Sequence, residues 1–228
     1  AWFCPAPNGH ILATGIDARG RKQYRYHPQF RTLQESRKFD NCLAFGKLLP
    51  LVRERVKNDL SARGLGRDRA IASVVRLLDL GALRVGNECY ARRNASFGAT
   101  TLRNRHANIS GGTLKLRYKG KGGVLREVAL SDRALARCVR AMQDLPGQRL
   151  FHWLDEDGDV HDVGSSDVNT YLREAMGEEF SAKNFRTWHA SVLGFGTIAA
   201  AGDRLALKAV LETVAAHLGN TPAVTRKS

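Results

Sequence analysis

Cysteine is scarce in this sequence: Cys4, Cys42, Cys89 and Cys138 stand far apart, with no Cys-x-x-Cys pair and no adjacent histidine. That spacing excludes a zinc-finger arrangement and supplies no disulfide framework, so a reducing, intracellular compartment is expected. No apolar run is long enough to cross a bilayer and no lipidation signal is present, which removes the usual grounds for a membrane anchor. Acid is short as well, with 22 Asp and Glu against 36 Lys and Arg, a formal net charge of +14. A surplus of that size points to a polyanionic partner met through fast, salt-sensitive association, and nucleic acid is the leading candidate. Internal repeats and low-complexity blocks are absent. The sequence opens on Ala1-Trp2-Phe3, neither an initiator methionine nor a signal peptide, so a clipped N-terminus is expected.

What is present suits an ordinary globular core: 43% of the 228 residues are apolar. Residues 1–31 mix β-favouring segments with turn signals at Pro7-Asn8-Gly9 and Gly20, which predicts the C-terminal part of a β-rich N-terminal domain. Residues 32–228 turn mainly helical. From Glu35 to Arg63 a stripe of Leu43, Leu48, Leu51, Val52 and Val56 predicts a helix that Pro50 interrupts or kinks. Ile71, Val74, Val75 and Leu78 predict a second helix ending near Gly81. Leu114–Tyr118 and Val124–Val128 flank Lys119-Gly120-Lys121-Gly122-Gly123, a hairpin with a lysine at its tip. Ser131-Asp132 should cap a helix through Met142, and Ser165 or Ser166 one ending near Gly177. The acidic stretch Leu154–Asp159 lacks EF-hand spacing and reads as a solvated turn. Lys183–Ser191 opens a long helix, and Leu205–Leu218 forms another, stopped by Gly219. Thr221-Pro222 then begins a new one. The fold class is α+β: a mainly α-helical domain with a β-hairpin or three-stranded sheet, after part of a β-rich one.

Several residues carry chemical potential. Gly20-Arg21-Lys22-Gln23-Tyr24-Arg25-Tyr26-His27 alternates cationic or polar groups with aromatics, which suits phosphate contacts together with stacking or base-edge contacts, although an ordinary wet strand fits equally well. Arg84 in Leu83-Arg84-Val85-Gly86, Lys121 at the hairpin tip, Arg186 in Lys183-Asn184-Phe185-Arg186-Thr187 and Asn220 in Leu218-Gly219-Asn220-Thr221-Pro222 are each weak signals. Singly, they read as a surface arginine, a solvated turn lysine, a snorkelling arginine or a partner of Glu178 or Glu179, and a helix-end residue.

Taken together and in order, these motifs resemble the type IB DNA topoisomerases, most of all the small poxvirus-like bacterial ones, over nearly the whole chain. In that family's pattern the nucleophilic tyrosine stands immediately after the position of Ser228. The resemblance implies catalytic roles for Arg84, Lys121, Arg186 and Asn220, and DNA contacts for Arg21, Gln23, Tyr24 and Tyr26, with Tyr90 as another DNA-contacting tyrosine. It implies relaxation of supercoiled DNA through a transient 3′-phosphotyrosyl nick, with no ATP, metal or other cofactor. The chemistry is coherent. Two guanidinium forks suit the non-bridging oxygens, and a lysine among other cations yields a proton readily to the leaving oxygen. Asn220 stands where most relatives have histidine, so it can donate a hydrogen bond but not titrate. The implied setting is a monomer clamping double-stranded DNA in the bacterial cytoplasm, at the nucleoid, which an arginine-over-lysine bias also suits. Tyrosine recombinases share the chemistry but usually present His-x-x-Arg where this sequence has Lys-x-x-Arg. A non-catalytic basic DNA-binding protein would explain the charge but not the ordered set.

Overall fold

Ile71, Val74, Val75 and Leu78 recur at helical spacing, and in the computed structural model all four are buried on one helix, Arg67–Gly81. The structure describes residues 1–18, 20, 22–177, 180–201 and 206–226. Elements run β1 Trp2–Phe3, β2 Ile11–Ile16, β3 Lys22–Tyr26, α1 Pro28–Ser61, α2 Arg67–Gly81 and α3 Glu88–Asn94. Then come β4 Ala107–Ser110, β5 Thr113–Lys119, β6 Leu125–Ser131, α4 Arg133–Gln143, β7 His152–Leu154 and β8 Val160–Asp162. Helices α5 Ser165–Met176, α6 Ala182–Ala201, α7 Leu207–Leu218 and α8 Pro222–Arg226 close the order. The class is α+β. The chain divides into two compact units, Ala1–Ala44 and Phe45–Ser228.

In the first unit, β1, β2 and β3 form an antiparallel sheet in that order. Helix α1 begins at Pro28, earlier than Glu35, because proline at the first helical position gives up only an N–H that has no intrahelical partner anyway.

In the second unit the expected break at Pro50 does not occur: α1 runs unbroken to Ser61. The proline removes the bond to the carbonyl of Gly46, but Phe45, Leu49 and Val52 are buried on either side and hold both turns in place. The buried stripe also differs from the expected one. Phe45, Leu49, Val52, Val56 and Leu60 face inward, while Leu43 and Leu51 are exposed. Gly46 allows close packing here, since a side chain on it would collide with the Trp188 ring.

Strands β4, β5 and β6 form the second antiparallel sheet, in sequence order. Along β5, Leu114, Leu116 and Tyr118 are buried while Lys115, Arg117 and Lys119 are exposed, the period of two that a half-covered sheet requires. Asp132 caps α4 by accepting from the Leu135 backbone N–H at 2.9 Å. Helix α5 is capped differently from expectation. Its N-cap is Gly164, and Asp167 in the first turn reaches back to the Gly164 N–H at 2.8 Å, so neither Ser165 nor Ser166 caps it. The acidic stretch is the turn between β7 and β8, where the Asp155 carboxylate accepts from the backbone N–H groups of Asp157 and Asp159.

Helix α7 lays Val210, Val214 and Leu218 against Ala82, with Ala190 and Leu193 of α6 beside them. Gly219 ends it in the left-handed region at φ 61, and the Asn220 N–H returns to the Ala215 carbonyl at 2.9 Å. Thr221 then accepts from the Val224 N–H at 3.3 Å as α8 starts at Pro222. Among the described residues no helix is long and apolar enough to cross a membrane.

Candidate active site

Arg84 follows α2 on a segment that residues 98–100 of the same chain cross at close range. The Ala99 and Thr100 N–H groups donate to the Arg84 and Val85 carbonyls at 2.8 and 2.7 Å, and a side chain on Gly98 would collide with Gly86 and with the Arg84 carbonyl. Arg186 enters from the first turns of α6, and Asn220 from the loop after α7. Arg84 Nη2 donates to Asn220 Oδ1 at 2.6 Å, and Arg186 Nη2 donates to the same oxygen at 3.2 Å. A guanidinium can only donate, so this pair identifies the Asn220 atom facing them as oxygen and directs its NH₂ elsewhere. Arg186 also donates to the Leu218 carbonyl at 3.0 Å and to the Ala82 carbonyl. Ala82 holds a left-handed conformation at φ 47, unusual for a residue with a Cβ, and its own N–H returns to the Leu78 carbonyl as α2 ends.

Lys121 heads a short 3-10 turn, Lys121–Gly123, between β5 and β6. The turn needs glycine: Gly122 and Gly123 have φ of 76 and 77. Lys121 is exposed and lines the same recess as Arg84 and Arg186. Arg126, Tyr118, Gly120 and Phe97 complete much of its wall. The recess therefore gathers three guanidiniums and one ammonium, and among the described residues no carboxylate lines it.

That imbalance shows in the electrostatics. Burial, then the charges of Arg84 and Arg126, lower the Arg186 pKa to about 10. Burial foremost, with Arg126 beside it, also lowers that of Arg84. Burial pushes the Tyr118 phenol up, against the pull of Arg126, Arg186 and Arg84. Backbone carbonyls and one amide oxygen satisfy donors here but neutralise no charge. An anion in the recess would therefore be held by charge-assisted hydrogen bonds in a partly desolvated setting.

The remaining expected residues fall elsewhere. Tyr90 is on α3, 53% exposed, outside the recess lining. Glu88 anchors that helix by pairing with Arg92 at 3.0 Å and with Arg149. Gln23, Tyr24 and Tyr26 lie on β3 in the other compact unit. The two tyrosines share a face with rings 6.2 Å apart, Lys22 sits over Tyr24 at 5.4 Å, and Gln23 Nε2 donates to Asp17 at 2.9 Å. Arg21 lies outside the described residues, as do Glu178 and Glu179. Among the described residues no three His, Cys, Asp or Glu side chains converge as a metal site.

Motif reading does not find Arg126. The signal was nonetheless present, because alternation along β6 places Arg126 on the inner face with Val128 and Leu130, where an unexplained charge marks a site.

The family model for the catalytic core of eukaryotic DNA topoisomerase I matches residues 27–228. DNA topoisomerase 1B of Acanthamoeba polyphaga mimivirus is 34% identical over 195 residues, covering 84% of this chain and 58% of the relative. DNA topoisomerase 1B of vaccinia virus, strain Copenhagen, is 24% identical over 152 residues, covering 64% of this chain and 48% of the relative. The chain thus spans about half the length of these relatives. The XerH site-specific recombinase bound to its difH substrate superposes with a TM-score of 0.50 at 14% identity, over 78% of this chain and 48% of that one. At that identity the likeness speaks for the fold alone.

Proposed function

Because the chain belongs to the DNA topoisomerase I catalytic-core family, we propose that it carries the phosphodiester-binding centre of a type IB enzyme. That enzyme nicks one strand of duplex DNA, lets supercoils unwind and reseals the nick. The observation that carries this reading is the recess itself, lined by Arg84, Arg186 and Lys121, with both arginines engaging the Asn220 amide oxygen. Arg84 and Arg186 hold the non-bridging oxygens and stabilise the charge they gain in the transition state. The Asn220 NH₂ donates to the same phosphate. Lys121 protonates the 5′-oxygen as it leaves. The nucleophile is the tyrosine that the family pattern places next to Ser228, and the phosphotyrosine bond conserves the energy for resealing, so neither ATP nor a metal is required.

Gln23, Tyr24, Tyr26 and Arg21 contact the duplex from one unit, and Tyr90 from the other. The protein acts as a monomer on double-stranded DNA. We place it in a bacterial cytoplasm on the excess of arginine over lysine. The viral relatives lend that placement no support, and an AT-rich source genome would contradict it. The test of the chemistry is covalent trapping with the full-length parent protein: on a duplex labelled at either end of one strand, the protein should become attached to the 3′-phosphate. Attachment to the 5′ side, or none, contradicts the reading.

A further inference from the structure

Arg126 is the cation in the recess that the ordered motifs leave unexplained. Among the described residues no carboxylate lines the recess beside it. Its guanidinium runs instead to the end of α7, where Nη2 donates to the His217 carbonyl at 3.0 Å and Nη1 to the Ala216 carbonyl at 3.4 Å. Those carbonyls belong to the last turn of a helix, which carries the negative end of the helix dipole, and the Ala216 carbonyl also accepts from the Gly219 N–H at 3.2 Å. Two glycines permit this path. A Cβ on Gly120 would stand 3.2 Å from Arg126 Cγ, and one on Gly219 would collide with the guanidinium. Gly120 immediately precedes Lys121, and Gly219 immediately precedes Asn220. The stem of Arg126 is thus threaded along the backbone that presents the lysine, and its head along the backbone that presents the amide. Tyr118, directly across the strand pair from Arg126, floors the hairpin end of this path.

We propose that Arg126 is a positioning residue: it straps the Lys121 turn to the end of α7, so that Lys121 and Asn220 address one phosphodiester. The proposal rests on the strand-cleavage reading above. In the step concerned, the tyrosine phenol releases its proton to solvent as its oxygen bonds to phosphorus, and the bond from phosphorus to the 5′-oxygen breaks. The leaving oxygen takes the electron pair and receives a proton from Lys121 Nζ. Arg126 touches none of these atoms and acts through the placement of Lys121.

The experiment compares the full-length parent with Arg126→Met and Arg126→Lys in two measurements. Hydrogen exchange should show protection lost in Arg126→Met at residues 120–124 and 216–220 together, with the rest of the unit unchanged. Single-turnover cleavage is then measured on one duplex carrying either oxygen or sulfur at the 5′ bridging position. A thiolate leaves without a proton, so a misplaced acid matters only for oxygen. Arg126→Met should slow cleavage of the oxygen duplex about 10- to 100-fold, a fraction of what a general acid contributes. On the sulfur duplex it should cleave at close to the parent's rate. Arg126→Lys, which keeps the charge and one donor to α7, should fall between, and it carries the comparison should the methionine variant not fold. Unchanged exchange at both segments overturns the strap whatever the enzyme does. Equal slowing on oxygen and sulfur overturns the link to Lys121. A parent protein that shows the exchange difference but cleaves neither duplex upholds the strap and contradicts strand cleavage instead.

Discussion

Arg84 and Asn220 are 136 residues apart in sequence, yet Arg84 Nη2 donates to Asn220 Oδ1 at 2.6 Å. Arg186 shares that oxygen, so two half-buried cations meet on a group that carries no charge. Replacing Asn220 with aspartate should supply these cations with the negative charge that a phosphodiester would bring. The Asn220→Asp protein is expected to be more stable by about 1–3 kcal/mol, as for hydrogen bonds that become charged. It should also cleave DNA at least about 100-fold more slowly, the scale of losing one transition-state donor. Thermal melting and single-turnover cleavage check the pair of effects. A variant that is both destabilised and active would show that the recess does not want an anion.

Gly219→Ala tests the geometry from another side. At φ 61 an alanine costs about 1 kcal/mol in backbone strain. Its methyl would also displace the Arg126 guanidinium. The variant should lose about 1–2 kcal/mol in denaturant unfolding and cleave DNA more slowly than its stability loss alone explains. Replacement of Gly111, also at positive φ but with open space around its Cβ position, should cost stability alone.

The pH dependence of stability has a defined sign. His106, His189 and His217 all have pKa values lowered from 6.5, in each case chiefly by burial. Nearby arginines add to the effect at His106 and His217. The folded state then binds fewer protons than the unfolded state below the ordinary histidine range. Stability is therefore full above about pH 6.5 and declines as pH falls through the lowered folded values. Thermal melting between pH 7.5 and 5 should show that decline, and His189→Asn should flatten it. A melting temperature constant over that range, or rising on acidification, contradicts the assignment.

Helices α1 and α2 are tied by Asp79, 4% exposed, which accepts from Arg53 through both oxygens at 2.9 and 3.0 Å. Asp79→Ala should cost about 2 kcal/mol, below the range for fully buried pairs because the Arg53 side chain is half exposed. Urea unfolding measures it, and a change under 0.5 kcal/mol would show that the pair only breaks even.

Local grammar carried much of the fold. The α2 stripe, the glycines of the Lys121 turn, and Gly219 followed by Thr221-Pro222 are short-range signals, because each depends on φ or on spacing within one or two turns. The long-range features were not legible in that way. Pro50 reads as a break because its cost is local, whereas Phe45, Leu49 and Val52 supply the compensation through tertiary packing. The inward stripe on α1 differs from the expected one for the same reason, since an apolar residue such as Leu51 can face solvent without penalty large enough to show in the pattern. Arg84, Lys121 and Arg186, which line the recess, each stand in a motif that the sequence displays. The Ala82 and Leu218 carbonyls could not be named from sequence, because every residue has a carbonyl and only the fold decides which ones converge. Arg126 lies between these cases, since its alternation with Val128 and Leu130 marks it only once β6 is assigned.

The most direct test is relaxation of a negatively supercoiled plasmid by the full-length parent protein in excess EDTA without ATP, beside its Arg84→Ala, Lys121→Ala and Arg186→Ala variants. The account predicts relaxed topoisomers from the parent and rates lowered by about 100-fold or more in each variant, with DNA retention little changed. A plasmid that is bound but stays supercoiled, or three variants as active as the parent, would contradict it.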